Sequence, residues 1–303
     1  MRYSGIGGQA VMEGVMMKNG SKYAVAVRKP DQEIVVEASE YQGIIKNKTI
    51  RNMPILRGVF SFVESLVLGI RTLTFSASFF EEEEEEPKND GKKEDFAMGI
   101  TVAISIVMAV GIFMVLPYGI SLLFSKAVSS QWVISLLEGV VRLVIFIGYV
   151  AGISLLADIK RVYMYHGAEH KCINCIEHGL DLNVENVRKS SRQHKRCGTS
   201  FLLIVMLISV VFFMFIRVDS RIMRLALRVL LVPVIAGVSF EFIRLAGRSD
   251  NALVNLFSKP GLLLQKITTR EPDDGMIEVA IASVEAVFDW KPYVEELRRE
   301  GQL

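Results

Sequence analysis

Residues 96–125 read FAMGITVAISIVMAVGIFMVLPYGISLLFS, thirty consecutive positions without a charged side chain. A helix rises 1.5 Å per residue, so about 20 such residues cross a hydrocarbon core of roughly 30 Å. This stretch reads as a membrane-spanning helix. Residues 198–216, GTSFLLIVMLISVVFFMFI, form a second uncharged run of nineteen. Residues 132–157 and 225–246 are long enough to be the third and fourth spans, although they carry Glu138 with Arg142, Arg228, and Glu241 with Arg244. Charges within hydrocarbon are costly unless paired, and the spacings i, i+4 for Glu138 and Arg142 and i, i+3 for Glu241 and Arg244 offer such pairs.

Residues 55–80 differ, because Arg57, Glu64 and Arg71 recur every seven positions and draw one polar stripe along an apolar helix. Such a helix suits the interface or a re-entrant position better than a span. Towards the N-terminus, Lys22–Lys29 and Glu33–Glu40 alternate on either side of a Lys-Pro-Asp-Gln turn, the pattern of a β-hairpin. The expected fold class is mainly α: a polytopic membrane helix bundle with about four spanning helices, one amphipathic or re-entrant helix, and a small N-terminal β-containing cap.

The chain divides accordingly into an N-terminal β-containing region (1–54), the amphipathic helix (55–80), a linker (81–95), a transmembrane helix pair (96–157), a His/Cys-rich loop (158–198), a second pair (199–246) and a C-terminal region (247–303). The linker holds nine acids against three lysines and reads as solvated and disordered, since like charges repel one another open. Beyond Lys259-Pro260 the chain turns soluble, with Asp273 or Asp274 capping an amphipathic helix from about Met276 to Phe288.

Of the 303 residues 51% are hydrophobic and 22% charged, which excludes a disordered chain or a simple water-soluble one. Lys plus Arg at 35 against Asp plus Glu at 33 supply no basic stripe, so nucleic acid is not an expected partner and the lipid bilayer is. Eight Lys or Arg fall in each of residues 1–54, 158–198 and 244–303, against one in 124–131. Positive residues collect on the cytoplasmic side, so both termini and the central loop are expected there, with 55–80 not crossing. The mixed, polar first fifty residues do not resemble a cleaved secretory signal.

All four histidines (His166, His170, His178, His194) and all three cysteines (Cys172, Cys175, Cys197) lie between residues 166 and 197. His166-Gly-Ala-Glu169-His170 has the H-x-x-E-H form, which on a helix sets two imidazoles one turn apart with a carboxylate beside them. That arrangement suits a divalent metal, zinc above all, with Glu169 as general base. His194 and Cys197 precede the second span while His166 and His170 follow the helix ending near Ala157. An antiparallel helix pair would therefore bring both sets together at one membrane face. The competing set is Cys172-x-x-Cys175 with His194-x-x-Cys197, a closed structural zinc site. His178, beside Gly179 at a helix end, reads as a surface residue, and Glu177 as the better ligand there. Gly5-Ile-Gly7-Gly8 is not a dinucleotide fingerprint and more simply permits tight backbone packing, Met12, Met16 and Met17 read as core filler, and Glu13 stays open.

Five blocks carry a family resemblance: GGQAVMEGVMMKNG at 7–20, PILRGV at 54–59, YHGAEHK at 165–171, RCGTSFL at 196–202 and KITTREPDD at 266–274. The chain resembles the YqhQ-like bacterial membrane proteins, a family described as a domain of unknown function and as predicted metal-dependent enzymes. The resemblance implies a multi-pass protein of the bacterial inner membrane. It places the family's histidines and acid at His166, Glu169 and His170, and its later block at His194 and Cys197. Lys195 stands where members carry proline, and Cys172 and Cys175 lie outside the family pattern. Residues and resemblance together point to a metal-dependent membrane enzyme of hydrolytic type with metal ligands His166, His170, His194 and Cys197 and its site at the cytoplasmic membrane interface. The alternative is a non-catalytic membrane assembly or scaffold protein whose metal staples the central loop.

Overall fold

The computed structural model describes residues 3–45, 53–80, 91–124, 127–128, 130–216, 218, 220–249 and 251–301. Four strands open the chain: β1 (Ile6–Val11), β2 (Gly14–Asn19), β3 (Lys22–Arg28) and β4 (Ile34–Glu40). They form an antiparallel meander in the order β1-β2-β3-β4. The hairpin of the sequence analysis is β3–β4; β1 and β2 were not expected. Strand β2 escapes a pattern search because it is buried on both faces. Val15 and Met17 enter one apolar core while Met16 enters another, so the run shows no polar alternation.

The helices are α1 (Leu56–Ala77), α2 (Gly91–Val110), a π-helical turn (Gly111–Val115), α3 (Leu116–Phe124), α4 (Gln131–Ile153), α5 (Ala157–Glu177), α6 (Val184–Lys189), α7 (Gly198–Met214), α8 (Arg221–Ala246), α9 (Ala252–Thr268), α10 (Asp274–Val287) and α11 (Trp290–Arg299). The protein is mainly α, and among the described residues four helices are long and apolar enough to cross a membrane: Leu56–Ala77, Gly99–Phe124, Gln131–Ile153 and Ile222–Ala246. Three of them lie in expected spans. The fourth is the 55–80 segment, a continuous apolar helix, while the expected span Gly198–Met214 is a shorter apolar helix of 17 residues.

Three further expectations change. Of the acidic linker over 81–95, residues 81–90 lie outside the described residues and 91–95 open α2. The 158–198 stretch is no loop for most of its length, since α5 and α6 occupy 26 of its 41 positions. Lys259-Pro260, expected to mark the turn to a soluble chain, sits inside α9. The C-terminal helix is as expected, with Asp273 accepting the Met276 amide at 2.8 Å as N-cap of α10.

Two compact units result. One comprises residues 1–80, 150–205 and 236–303, the other 81–149 and 206–235. In the first, α5 and α10 pack on one face of the sheet, joining Tyr165, Ala168, Cys172, Ile173 and Ile176 to Met276, Ile277 and Val284. Helix α1 covers the other face through Leu68. Gln9 donates to Thr72 Oγ1 at 2.8 Å and the Met12 amide to Ser76 Oγ at 3.1 Å, so polar groups of α1 face the sheet. Helices α1 and α8 touch at Gly58 and Gly237, where a Cβ on Gly58 would stand 2.9 Å from the Gly237 Cα. Arg57 there pairs with Glu241, in place of the Arg244 that spacing suggested.

In the second unit Glu138 does pair with Arg142, at 2.7 Å, and also with Arg228 at 2.6 Å. Arg142 adds a bond to Ser209 Oγ at 2.7 Å, and the Phe213 ring lies under both guanidiniums. A carboxylate shared by two guanidiniums is the compensation that buried charges require.

Candidate metal centre

Helix α5 builds the site. It has no side-chain cap at Leu156 and ends where Gly179, at φ 71°, adopts the left-handed conformation that closes the last turn. From Tyr165 to Glu177 nearly every residue is buried, because the sheet, α10 and the chain after α6 surround it. Its side chains pull that following chain alongside. Lys171 Nζ donates to Arg188 O at 2.8 Å and Ser190 O at 2.9 Å, and Asn174 Nδ2 to Ser191 O at 2.6 Å and Gln193 O at 2.9 Å. Buried donors thus satisfy the carbonyls of an irregular segment and carry Cys197 to the histidines.

His166, His170 and Cys197 offer ligand atoms that all lie within 4.8 Å of one another. His166 Nδ1 bonds Thr268 O at 2.8 Å and His170 Nδ1 bonds Arg192 O at 2.7 Å. A carbonyl can only accept, so each Nδ1 carries a proton and each Nε2 is the nitrogen left facing the site, the orientation that metal-ligating histidines take from their outer partners. Cys197 Sγ stands 3.3 Å from His166 Nε2. Tetrahedral bonds of about 2.0–2.3 Å separate neighbouring ligand atoms by roughly 3.3–3.6 Å, so Cys197 and His166 already stand at the separation of two ligands on a zinc-sized ion.

Glu169 Oε2 lies 3.8 Å from His166 Nε2 and 4.0 Å from His170 Nε2. Its carboxylate also accepts the Gly8 amide, and a Cβ on Gly8 would stand 2.5 Å from the Met16 carbonyl oxygen and 3.1 Å from Glu169 Cγ, so this point of β1 requires glycine. Burial raises the Glu169 pKa, with the two histidines opposing. Burial would also keep Cys197 protonated, but His166 and His170 beside it outweigh this and hold the thiol well below its usual range. His166 answers with a pKa of about 9, burial being overcome by the Cys197 thiolate and Glu169. A thiolate paired with the His166 imidazolium is what a cation would meet, and it would displace the Nε2 proton on binding.

His194 is set apart from this group. Its ring lies 5.7 Å from that of His170, but Nε2 turns to Glu177 Oε2 at 3.5 Å. Glu177 is fully buried and engaged: it accepts Ser4 N at 2.9 Å and Ser4 Oγ at 2.7 Å and pairs with Arg196. Burial would raise its pKa, but His194 and Arg196 hold it at about 2. Cys172 and Cys175 point into the apolar core, where burial pushes both thiols up. The competing closed cysteine set is therefore not assembled. His178 is exposed, as expected, and Glu13 pairs with Arg161 and with Tyr165 OH at 3.2 Å.

The sequence profile of a family described as "Protein of unknown function (DUF1385)" matches residues 53–290. The chain belongs to this family. It is similar to the "Uncharacterized protein YqhQ" of Bacillus subtilis (strain 168), 34% identical over 286 residues that cover 91% of this chain and 90% of the relative. No solved structure matches it. Within this DUF1385 chain the residues that orient the centre were missed by sequence reading. Thr268 and Arg192 act through backbone carbonyls, which no side-chain pattern reveals. Gln265 ties the site's flank by accepting the His194 amide at 2.8 Å and donating to His194 O and Ser200 Oγ, each at 2.7 Å. The profile begins at residue 53, so the strand carrying Gly8 lies outside it.

Proposed function

We propose that this protein is a metal-dependent membrane hydrolase whose centre is His166, His170 and Cys197, with Glu169 as general base. The observation that carries the proposal is the pair of Nδ1 to carbonyl bonds, which leave both Nε2 atoms grouped with the Cys197 thiolate. Mixed imidazole and thiolate ligands favour zinc. Zinc bound there would supply Lewis acidity for a carbonyl or phosphoryl oxygen and would lower the pKa of its bound water to about 7. Glu169 Oε2 is the group placed to take that proton, and its burial brings the carboxyl closer to the working range of a base. The substrate class is a peptide or a membrane-linked ester or phosphate.

The packing of unit one supports placing both termini and α5 on one side of the bilayer, and the Lys and Arg distribution is what makes that side the cytoplasmic one. The sheet, α5 and α10 share one core, so they lie on one side of any bilayer, and an even number of crossings separates them. Between α6 and α9 stand two apolar helices, α7 and α8. Between β4 and α5 stand three, so one does not cross, and α1 is the one packed on the sheet.

A second reading, a metal staple without catalysis, is favoured by burial: His170 is 1% exposed, Cys197 4% and Glu169 4%. Glu169 would then complete a closed four-ligand shell. Elemental analysis of the purified full-length chain is the test. About one zinc per chain is expected, lost in the His166→Ala, His170→Ala double variant; full retention there removes the site. Glu169→Gln separates the two readings. As a base it keeps the metal and loses complementation of a deletion strain, whereas full complementation leaves only the staple.

A further inference from the structure

Helix α9 has two apolar or closely packed faces where a soluble surface helix has one. Ser258, Gly261, Leu264, Gln265 and Thr268 are buried, and a Cβ on Gly261 would stand 2.7 Å from Ser200 Cβ. This face builds the metal centre, since Thr268 O holds His166 and Gln265 holds His194. Yet Leu253 is 65% exposed, Leu256 54%, Phe257 61% and Leu263 59%. At about 100° per residue these four and the exposed Pro260 fall within a sector of roughly 120°. Lys259 and Lys266, both exposed, lie about 40–60° beyond its edge.

An apolar sector bordered by lysines is the pattern of a helix lying in a membrane surface, with its leucines at the acyl boundary and its ammonium groups at anionic headgroups. The chain's connectivity selects the same occupant. Helix α8, apolar enough to span, ends at Ala246 and α9 begins at Ala252. Residues 247–251 reach at most about 20 Å, so the start of α9 stays close to the membrane surface once α8 is inserted.

We infer that α9 is an in-plane interfacial helix docked on an anionic lipid surface, and that its opposite face holds the His166, His170 and Cys197 centre within about one helix diameter, roughly 10 Å, of the headgroups. The inference rests on the proposed membrane reading but not on catalysis. It makes the bilayer itself the partner of this part of the chain.

The test uses the full chain in vesicles of phosphatidylcholine and phosphatidylglycerol. Cysteines placed singly at Leu256, Phe257, Leu263 and Lys259 are labelled with an environment-sensitive fluorophore; the native cysteines are buried, and the unsubstituted chain sets the background. The labels at Leu256, Phe257 and Leu263 should be quenched at least threefold more by shallow spin-labelled lipid than by aqueous iodide, with the ratio reversed at Lys259. Quenching by iodide alone at all sites overturns the inference, as does protection from both quenchers with crosslinking between chain copies. Three apolar positions are used so that one misfolded variant does not decide the result. Zinc measured on the same samples keeps the two ideas apart: metal retained with α9 in water refutes the docking alone, and metal absent with α9 in lipid refutes the centre alone.

Discussion

Gly167 lies between the two site histidines in sequence and touches neither ligand role, yet its replacement should disable the centre. An alanine Cβ there would stand 2.0 Å from Arg270 O and 3.2 Å from Arg270 C. Both are backbone atoms, so no side chain can swing aside, and the 268–272 segment must retreat by more than about 1 Å to reach ordinary contact. That segment is held by the Arg270 amide on Tyr163 O at 2.8 Å, and it accepts His166 Nδ1 on Thr268 O at 2.8 Å. A retreat of this size stretches both beyond useful hydrogen-bond length. Two bonds at about 1 kcal/mol each and overpacking at about 1–3 kcal/mol give a loss of roughly 3–5 kcal/mol for Gly167→Ala. Freed from its outer partner, His166 should bind metal about 10–100-fold more weakly. Chelator competition measures the affinity and thermal unfolding in detergent the stability, with Gly198→Ala as control because nothing lies within 4 Å of a Cβ there. Parental affinity and melting in Gly167→Ala would refute this view of how His166 is held.

Two more outcomes follow from the buried charges. Glu177 has its folded pKa held at about 2 against an ordinary 4.5, so its stabilisation is present above about pH 4.5 and is lost as pH falls toward 2. Unfolding measured across that window should show about 3 kcal/mol of pH-dependent stability that Glu177→Gln abolishes; an unchanged slope in the variant contradicts the assignment. In the second unit, Glu138→Gln leaves Arg142 and Arg228 buried without a counter-charge and should lower stability by about 3–5 kcal/mol, read as loss of folded protein in a detergent melting assay. A melting temperature equal to the parent would show that those guanidiniums reach water.

What could be read in advance divides by physical origin. The apolar runs are legible because hydrocarbon thickness fixes a minimum length, and the polar stripe already sets α1 apart, although its packing on the sheet is visible only in the structure. His166, Glu169 and His170 are legible because a helix repeats every 3.6 residues and brings i, i+3 and i+4 to one face. Cys197 follows from both segments meeting one end of the helices. The position of His194 does not, because residues 195–196 form a turn that rotates its ring toward Glu177, and spacing carries no information on such a rotation. Gly8 and Gly167 look like any flexible glycines until Glu169 and Arg270 O are seen against them.

Zinc K-edge absorption of the purified full-length chain addresses the His166, His170 and Cys197 centre most directly. The expected spectrum has one sulfur at about 2.3 Å and nitrogen or oxygen ligands at about 2.0–2.1 Å. Cys197→Ser should remove the sulfur shell, while Cys172→Ala leaves it intact. Two or more sulfurs in the parent chain, or a sulfur shell that survives Cys197→Ser, would contradict the centre.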